Sequence, residues 1–260
     1  MTTSARNTNK NEQPGLALAP WPQVDFASFG EVELKPLARV QKLAGTFLSR
    51  NWVMIPHVTH HDDADITEIE VMRKRLSEEK PGVKLTPLVY LVKAVVAALK
   101  AFPTVNASLD MENNQLVLKK YFHIGIAVDT PNGLLVAVVK DCDKKSVYEL
   151  AEEITTISTK AREKGLSMQE MSGGCFTISS LGSIGGTGFT PIINAPEVAI
   201  LGVSRTQLKP RPCAEQGVEW RKVLPMSLSY DHRVLNGADA ARFTAYLADK
   251  LANPEQILVD

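Results

Sequence analysis

The sequence predicts an α+β fold, a mixed sheet flanked by helices, on three observations. Several stretches place apolar residues every three or four positions and carry their own capping signals. Short β-branched runs stand between them, and at least two of these runs are joined directly by a tight turn. No regular strand–helix–strand repeat runs along the chain, so an all-parallel sheet is not expected. At 260 residues, 44% of them hydrophobic, the chain can bury a large core.

Residues 1–30 are rich in Thr, Asn, Ala, Pro and Gln and show neither period. They read as an extended arm ahead of a domain over 31–260. Pro20-Trp21-Pro22 and Phe26 are more apolar than a free tail requires, so they are expected to dock, another subunit being one candidate. Pro36 opens a helix in which Leu37, Val40, Leu43, Ala44, Phe47 and Leu48 share one face. A short strand is expected near Val53–Thr59. Asp65 and Glu68 have capping-box spacing ahead of a helix to about Glu79. Thr86-Pro87 starts another through Lys100, apolar around enough of its girth to be largely buried. Strands follow near Leu116–Phe122, Ile124–Val128 and Leu134–Val139, the last two joined as a hairpin by Thr130-Pro131-Asn132-Gly133. Ser146 with Glu149 caps a helix to about Lys164. Strands recur near Phe176–Ser179, Val198–Val203 and Val223–Tyr230, before a helix from about Ala238 to Leu251.

Composition excludes several function classes. Lysines plus arginines equal acids at 29 each, so no overall field favours nucleic acid or an anionic membrane. The longest apolar runs, such as Leu88–Leu99, are interrupted by Lys93 and are too short to span a bilayer. Cys142, Cys175 and Cys213 are far apart and odd in number, which fits free thiols in a reducing compartment, the cytoplasm. Cys175 opens the apolar run Cys-Phe-Thr-Ile-Ser and reads as a small core residue rather than a nucleophile. The start of the chain lacks the apolar core of a signal peptide.

Residues 226–243 carry the chemistry. An alternating apolar run ends at His232, a glycine turn follows, and a small-residue helix begins. A histidine at a strand end can reach a substrate, and an imidazole exchanges a proton near neutral pH. Ser179 ends a second apolar run where a glycine-rich loop starts, so its hydroxyl is available to donate a hydrogen bond; Ser180 is the neighbour from which it must be told apart. The loop Gly182-Ser-Ile-Gly-Gly-Thr-Gly188 fits neither nucleotide-binding glycine pattern, and its glycines read better as backbone room beside a long ligand chain. The basic stretch Arg205, Lys209, Arg211 either meets ligand phosphates or is a solvated loop. His57, His60, His61, Asp62 and Asp63 invite a metal reading, but no metal is expected: their side chains do not share a strand face.

The segment Tyr-Asp-His232-Arg-Val-Leu-Asn236-Gly-Ala-Asp-Ala-Ala-Arg-Phe resembles the active-site segment of the dihydrolipoamide acyltransferases, the core subunits of 2-oxoacid dehydrogenase complexes. Its His-x-x-x-Asp-Gly motif also marks the wider chloramphenicol acetyltransferase-like superfamily. Asn236 stands where that pattern has Asp. Ile124–Lys140 is similar to the family's Gly-Ile-Ala-Val-x-Thr-Pro-x-Gly-Leu segment. Phe176–Ser204 is similar again, and its Ala-Pro-Glu-Val-Ala-Ile-Leu-Gly-Val resembles most the chains of bacterial pyruvate dehydrogenase complexes. The resemblance covers roughly residues 20–260.

The resemblance implies a chloramphenicol acetyltransferase-like, trimer-forming fold, with trimers assembling into a large cubic core. The implied reaction moves an acetyl group between dihydrolipoamide and coenzyme A. His232 would be the base at the attacking thiol, and Ser179 the donor to the tetrahedral oxyanion. Asn236 would pair with Arg39 near the first helix and brace the active-site turn, more weakly than an aspartate. Arg39, Gly182, Arg205 and Lys209 are the residues expected at the coenzyme. Asp231 and Arg233 are expected to be structural. The lipoyl group, and contacts with the E1 and E3 components, would lie on domains that this chain does not contain. Two rival readings stay open: a catalytically silent core subunit, and a relative with another acyl specificity.

Overall fold

The structure, a computed structural model, describes residues 20–213 and 217–258. The elements in chain order are α1 (Arg39–Met54), β1 (His57–Asp65), α2 (Thr67–Glu79), α3 (Pro87–Ala101), β2 (Ala107–Asp110), β3 (Gln115–Leu118), β4 (Ile124–Thr130) and β5 (Gly133–Val139). They continue with α4 (Val147–Glu163), β6 (Phe176–Ser180), β7 (Ala199–Val203), β8 (Gln207–Pro212), β9 (Val218–Asp231), α5 (Gly237–Ala252) and α6 (Glu255–Leu258). The chain divides into two units, Met1–Pro36 and Leu37–Asp260. In the first, a 3-10 turn spans Phe26–Phe29, and Trp21, Phe26 and Phe29 are exposed. The expected arm otherwise falls on residues 1–19, outside the described ones.

In the second unit the main sheet runs β1-β9-β7-β6-β4-β5, with β8 extending from β9. Strand β6 is parallel to both its neighbours and the other pairs are antiparallel, so the sheet is mixed. Period-two alternation divides its two faces. Phe176, Ile178, Leu201, Met226, Leu228 and Tyr230 join the core built with α2, α3, α4 and α5. Residues 89–99 of α3 are all buried. Thr177, Ser179, Gly202, Ser227, Ser229 and Asp231 take the opposite, polar face. Part of that face is covered by the loop after β6. Phe189 lies so close over Gly202 that a Cβ there would meet its ring at 2.6 Å, which is why glycine occupies the position.

Several expected elements shift for identifiable reasons. Helix α1 begins at Arg39 rather than Pro36 and continues through Val53, the residue expected to open a strand. The buried Asn51 ties its last turn down, and Pro56 forces the preceding Ile55 into extended backbone. The first strand therefore runs His57–Asp65. The capping box at Asp65 and Glu68 does not form: Asp65 pairs with Val223 as the last residue of β1 and accepts the Thr67 N–H at 2.9 Å. The box at Ser146 and Glu149 does form. The strand expected at Leu116–Phe122 stops at Leu118 and pairs with β2, which sequence had not marked. Strand β8 replaces the basic loop. Pro210 and Pro212 masked it, and they are tolerated because β8 is an edge strand.

Candidate active site

His232 immediately follows β9, and its backbone is fixed while its side chain is exposed. Its N–H donates to the Pro56 carbonyl at 3.1 Å, and the preceding Asp231 N–H donates to Val198 at 2.8 Å. Asp231 is 2% exposed and accepts from the Arg233 backbone N–H and from the Arg233 guanidinium, at 2.9 Å to Nε and 2.6 Å to a terminal nitrogen. That pair raises the Arg233 pKa further and locks the turn beyond His232. The His232 ring sits 6.0 Å from the Tyr230 ring, and no side-chain hydrogen bond engages it among the described residues.

Asn236 does something the sequence did not suggest. Its side-chain oxygen accepts from the backbone N–H groups of Ala238 (2.9 Å) and Asp239 (3.0 Å), and its own N–H donates to Asp239. It is the N-cap of α5 in a full capping box. The expected contact with Arg39 is absent within the chain: Arg39 is an exposed first-turn residue of α1 with no hydrogen bond to Asn236. The brace is the helix cap instead.

Ser179 is half-buried on β6, and Ser180 beside it is exposed. Neither side chain has a hydrogen-bond partner among the described residues. Ser179 pairs with Gly202, and Gly202 pairs with Ser227, five residues short of His232. At ~3.3 Å per residue and ~4.8 Å between strands, Ser179 and His232 of one chain lie about 19 Å apart. One chain does not bring them together.

Of the residues expected at the coenzyme, Gly182 and Arg205 meet at the glycine loop, Lys209 lies on β8 and Arg39 opens α1. Lys209 Nζ is taken by Asp63 at 2.5 Å, so it is not a free cation. Arg205 donates to the Ile184 carbonyl at 2.7 Å and props the glycine loop. In that loop Gly185 and Gly186, at φ +156° and +85°, are the positions that demand glycine; Gly182 has an ordinary φ beside the Ser204 carbonyl. Two of the β1 histidines are engaged on the sheet's polar face: His61 Nδ1 bonds Ser227 Oγ at 2.9 Å, and both ring nitrogens of His57 meet backbone groups, whereas His60 lies opposite Leu228 on the other face. Among the described residues no three His, Cys, Asp or Glu side chains group as a metal site.

Sequence reasoning gave Glu197 no role, although it stands in the Ala-Pro-Glu-Val segment quoted for the resemblance. It is 4% exposed, just before β7. One carboxylate oxygen accepts from Thr177 Oγ1 (2.9 Å) and Asn194 (3.3 Å), and the other has no partner. Burial pushes its pKa up to about 7, against the opposing pull of the Thr177 hydroxyl and the Lys119 charge. Cys175 is buried, as expected of a core residue, and burial raises its thiol pKa too.

The model of the family described as 2-oxoacid dehydrogenases acyltransferase (catalytic domain) matches residues 29–259. The chain belongs to this family. It is 56% identical over 246 residues to the dihydrolipoyllysine-residue acetyltransferase component of the pyruvate dehydrogenase complex of Cupriavidus necator, covering 94% of this chain and 44% of that one. The chain thus spans about half the length of the curated relatives it matches. Two solved structures superpose with a TM-score of 0.89 at 51% identity, each covering 93% of this acyltransferase chain and 100% of the other. One is the Azotobacter vinelandii dihydrolipoamide acetyltransferase, studied for the role of a serine, a histidine and an asparagine in its catalytic mechanism. The other is the cubic core of a pyruvate dehydrogenase multienzyme complex. Chloramphenicol acetyltransferase shares the fold, with a TM-score of 0.55 at 15% identity. No described helix is long and apolar enough to cross a membrane.

Proposed function

We propose that this acyltransferase domain moves an acetyl group between the thiols of dihydrolipoamide and coenzyme A, at a site shared by two copies of the chain. The observation that carries the reading is the His232 imidazole: exposed, free of side-chain hydrogen bonds, and held on a backbone pinned by Pro56 and Asp231. A thiol at neutral pH is mostly protonated and a poor nucleophile. His232 takes the proton from the attacking thiol as its sulfur bonds to the thioester carbonyl carbon. The carbonyl electron pair moves onto oxygen, where the Ser179 hydroxyl donates a hydrogen bond. Collapse restores the carbonyl and expels the second thiolate, which recovers the proton from His232. A positioned base is worth ~10²–10⁴ in rate, and one oxyanion donor ~10²–10³.

A separation of ~19 Å within one chain supports a site whose His232 and Ser179 come from different subunits. Helix α1, whose Leu43, Phe47 and Trp52 are exposed in the single chain, supports such a neighbour, and the reading takes the unit to be a trimer. The similarity to a cubic core supports assembly of trimers into a larger particle, working in the cytoplasm beside E1 and E3 components. Coenzyme A is the second substrate. Among the described residues Arg39 makes no side-chain hydrogen bond or ion pair, so its exposed guanidinium is open to the phosphates of coenzyme A.

The test is incubation of the protein with acetyl-coenzyme A and free dihydrolipoamide, with S-acetyldihydrolipoamide measured by mass spectrometry. Product at enzymatic rates is expected. Intact particles that form none would overturn the reading in favour of a silent core subunit or another acyl specificity.

A further inference from the structure

We propose that His57 is a positioning residue for acyl transfer: its two ring nitrogens clamp the 190–196 loop to the peptide that anchors His232. The role in turnover rests on the acetyl-transfer reading, whereas the clamp itself stands on geometry. His57 opens β1 opposite Asp231. Its Nδ1 lies 2.8 Å from the Ile55 carbonyl, and the Ile193 backbone N–H donates to Nε2 at 2.9 Å. A carbonyl only accepts and an amide N–H only donates, so these partners dictate one state. The ring is neutral, with its hydrogen on Nδ1.

Ile193 is fully buried, and both its backbone polar groups depend on side chains from one short stretch. His57 takes the N–H, and Asn51 donates to the carbonyl at 3.0 Å. Pro56, between the two anchored residues Ile55 and His57, is the acceptor for the His232 N–H. The Trp52 ring lies 5.5 Å from the His57 ring. One imidazole therefore ties together the far end of the loop that starts beyond Ser179 and the backbone that presents His232. The 190–196 loop and the stretch that anchors His232 cannot part without breaking a bond to this ring.

The experiment compares His57→Ala, His57→Gln and His57→Asn in the assembled protein, by amide hydrogen exchange and steady-state kinetics, with native mass as the assembly control. In the alanine variant, exchange across 190–196 should quicken by ~5- to 100-fold, the cost of leaving a buried donor unpaired. Its kcat should fall about 10- to 100-fold while KM for coenzyme A holds within about three-fold, since misplacement rather than lost binding is the cause. Glutamine places an oxygen near the Nε2 position and should restore loop protection and most of kcat. Asparagine supplies only the donor toward Ile55 and should restore neither. The proposal is overturned if the alanine variant keeps kcat within about two-fold of the parent. It is also overturned if kcat falls without faster exchange in 190–196, or if glutamine does not rescue. If the parent protein itself transfers nothing to dihydrolipoamide, the acetyl-transfer reading falls on its own, and the exchange pattern still decides the clamp.

Discussion

Replacing Glu197 with glutamine should stabilise the domain at alkaline pH and do nothing at acid pH. The carboxyl is 4% exposed, one of its oxygens has no partner, and burial lifts its pKa from 4.5 to about 7. In the unfolded chain the group ionises near the lower value. Between the two values the folded protein still holds a proton that the unfolded chain has released, so stability falls as pH rises through this window. Below pH 4.5 the group imposes no penalty, and above about 7 the penalty is complete. At ~1.4 kcal/mol per pH unit the raised pKa corresponds to about 3 kcal/mol. Glutamine keeps the oxygen that accepts from Thr177 and Asn194 and cannot ionise. Its amide nitrogen takes the place of an oxygen that already lacked a partner, so that cost roughly cancels. The variant should gain about 1–3 kcal/mol over the parent at pH 8 and nothing near pH 4.5. Urea unfolding at fixed chain concentration across this range measures the difference. A parent-to-variant difference that does not change with pH would refute the reasoning, because an uncharged packing effect carries no proton linkage.

Three further outcomes are expected. His232→Ala should lower turnover by ~10²–10⁴ while coenzyme A affinity stays within a few-fold, as loss of proton transfer requires; near-normal turnover would remove His232 as the base. Mixing His232→Ala with Ser179→Ala chains under conditions that exchange subunits should restore activity, because some hybrid sites are then whole; no recovery would place both residues in one chain's site. Asn236→Asp should keep the α5 cap and most activity, whereas Asn236→Leu should cost about 1 kcal/mol of stability for two uncapped backbone donors. Melting temperatures of both variants check this, and equal damage from Asp and Leu would contradict the cap.

What sequence alone decided was local. The capping box of Ser146 and Glu149, the proline start of α3 and the turn between β4 and β5 depend on residues a few positions apart, and each formed as expected. The strand-end placement of His232 was legible for the same reason, since alternation up to Tyr230 and the glycine turn after it are short-range signals. The strength of Asp65 as a helix cap was not, because pairing with β9 claimed it for a strand. Nor was β8, whose prolines look like a loop until a partner strand on one side makes them acceptable. The partners of His57 and His61 were not legible either, because they come from other strands and loops that only the sheet brings alongside. The bond from Ile193 to His57 joins positions 136 residues apart, and no spacing rule reaches that far. The distance between Ser179 and His232 is likewise a product of strand register. Hydrogen bonding within a turn is written in neighbouring residues, whereas which strand lies beside which is chosen by the burial of the whole core.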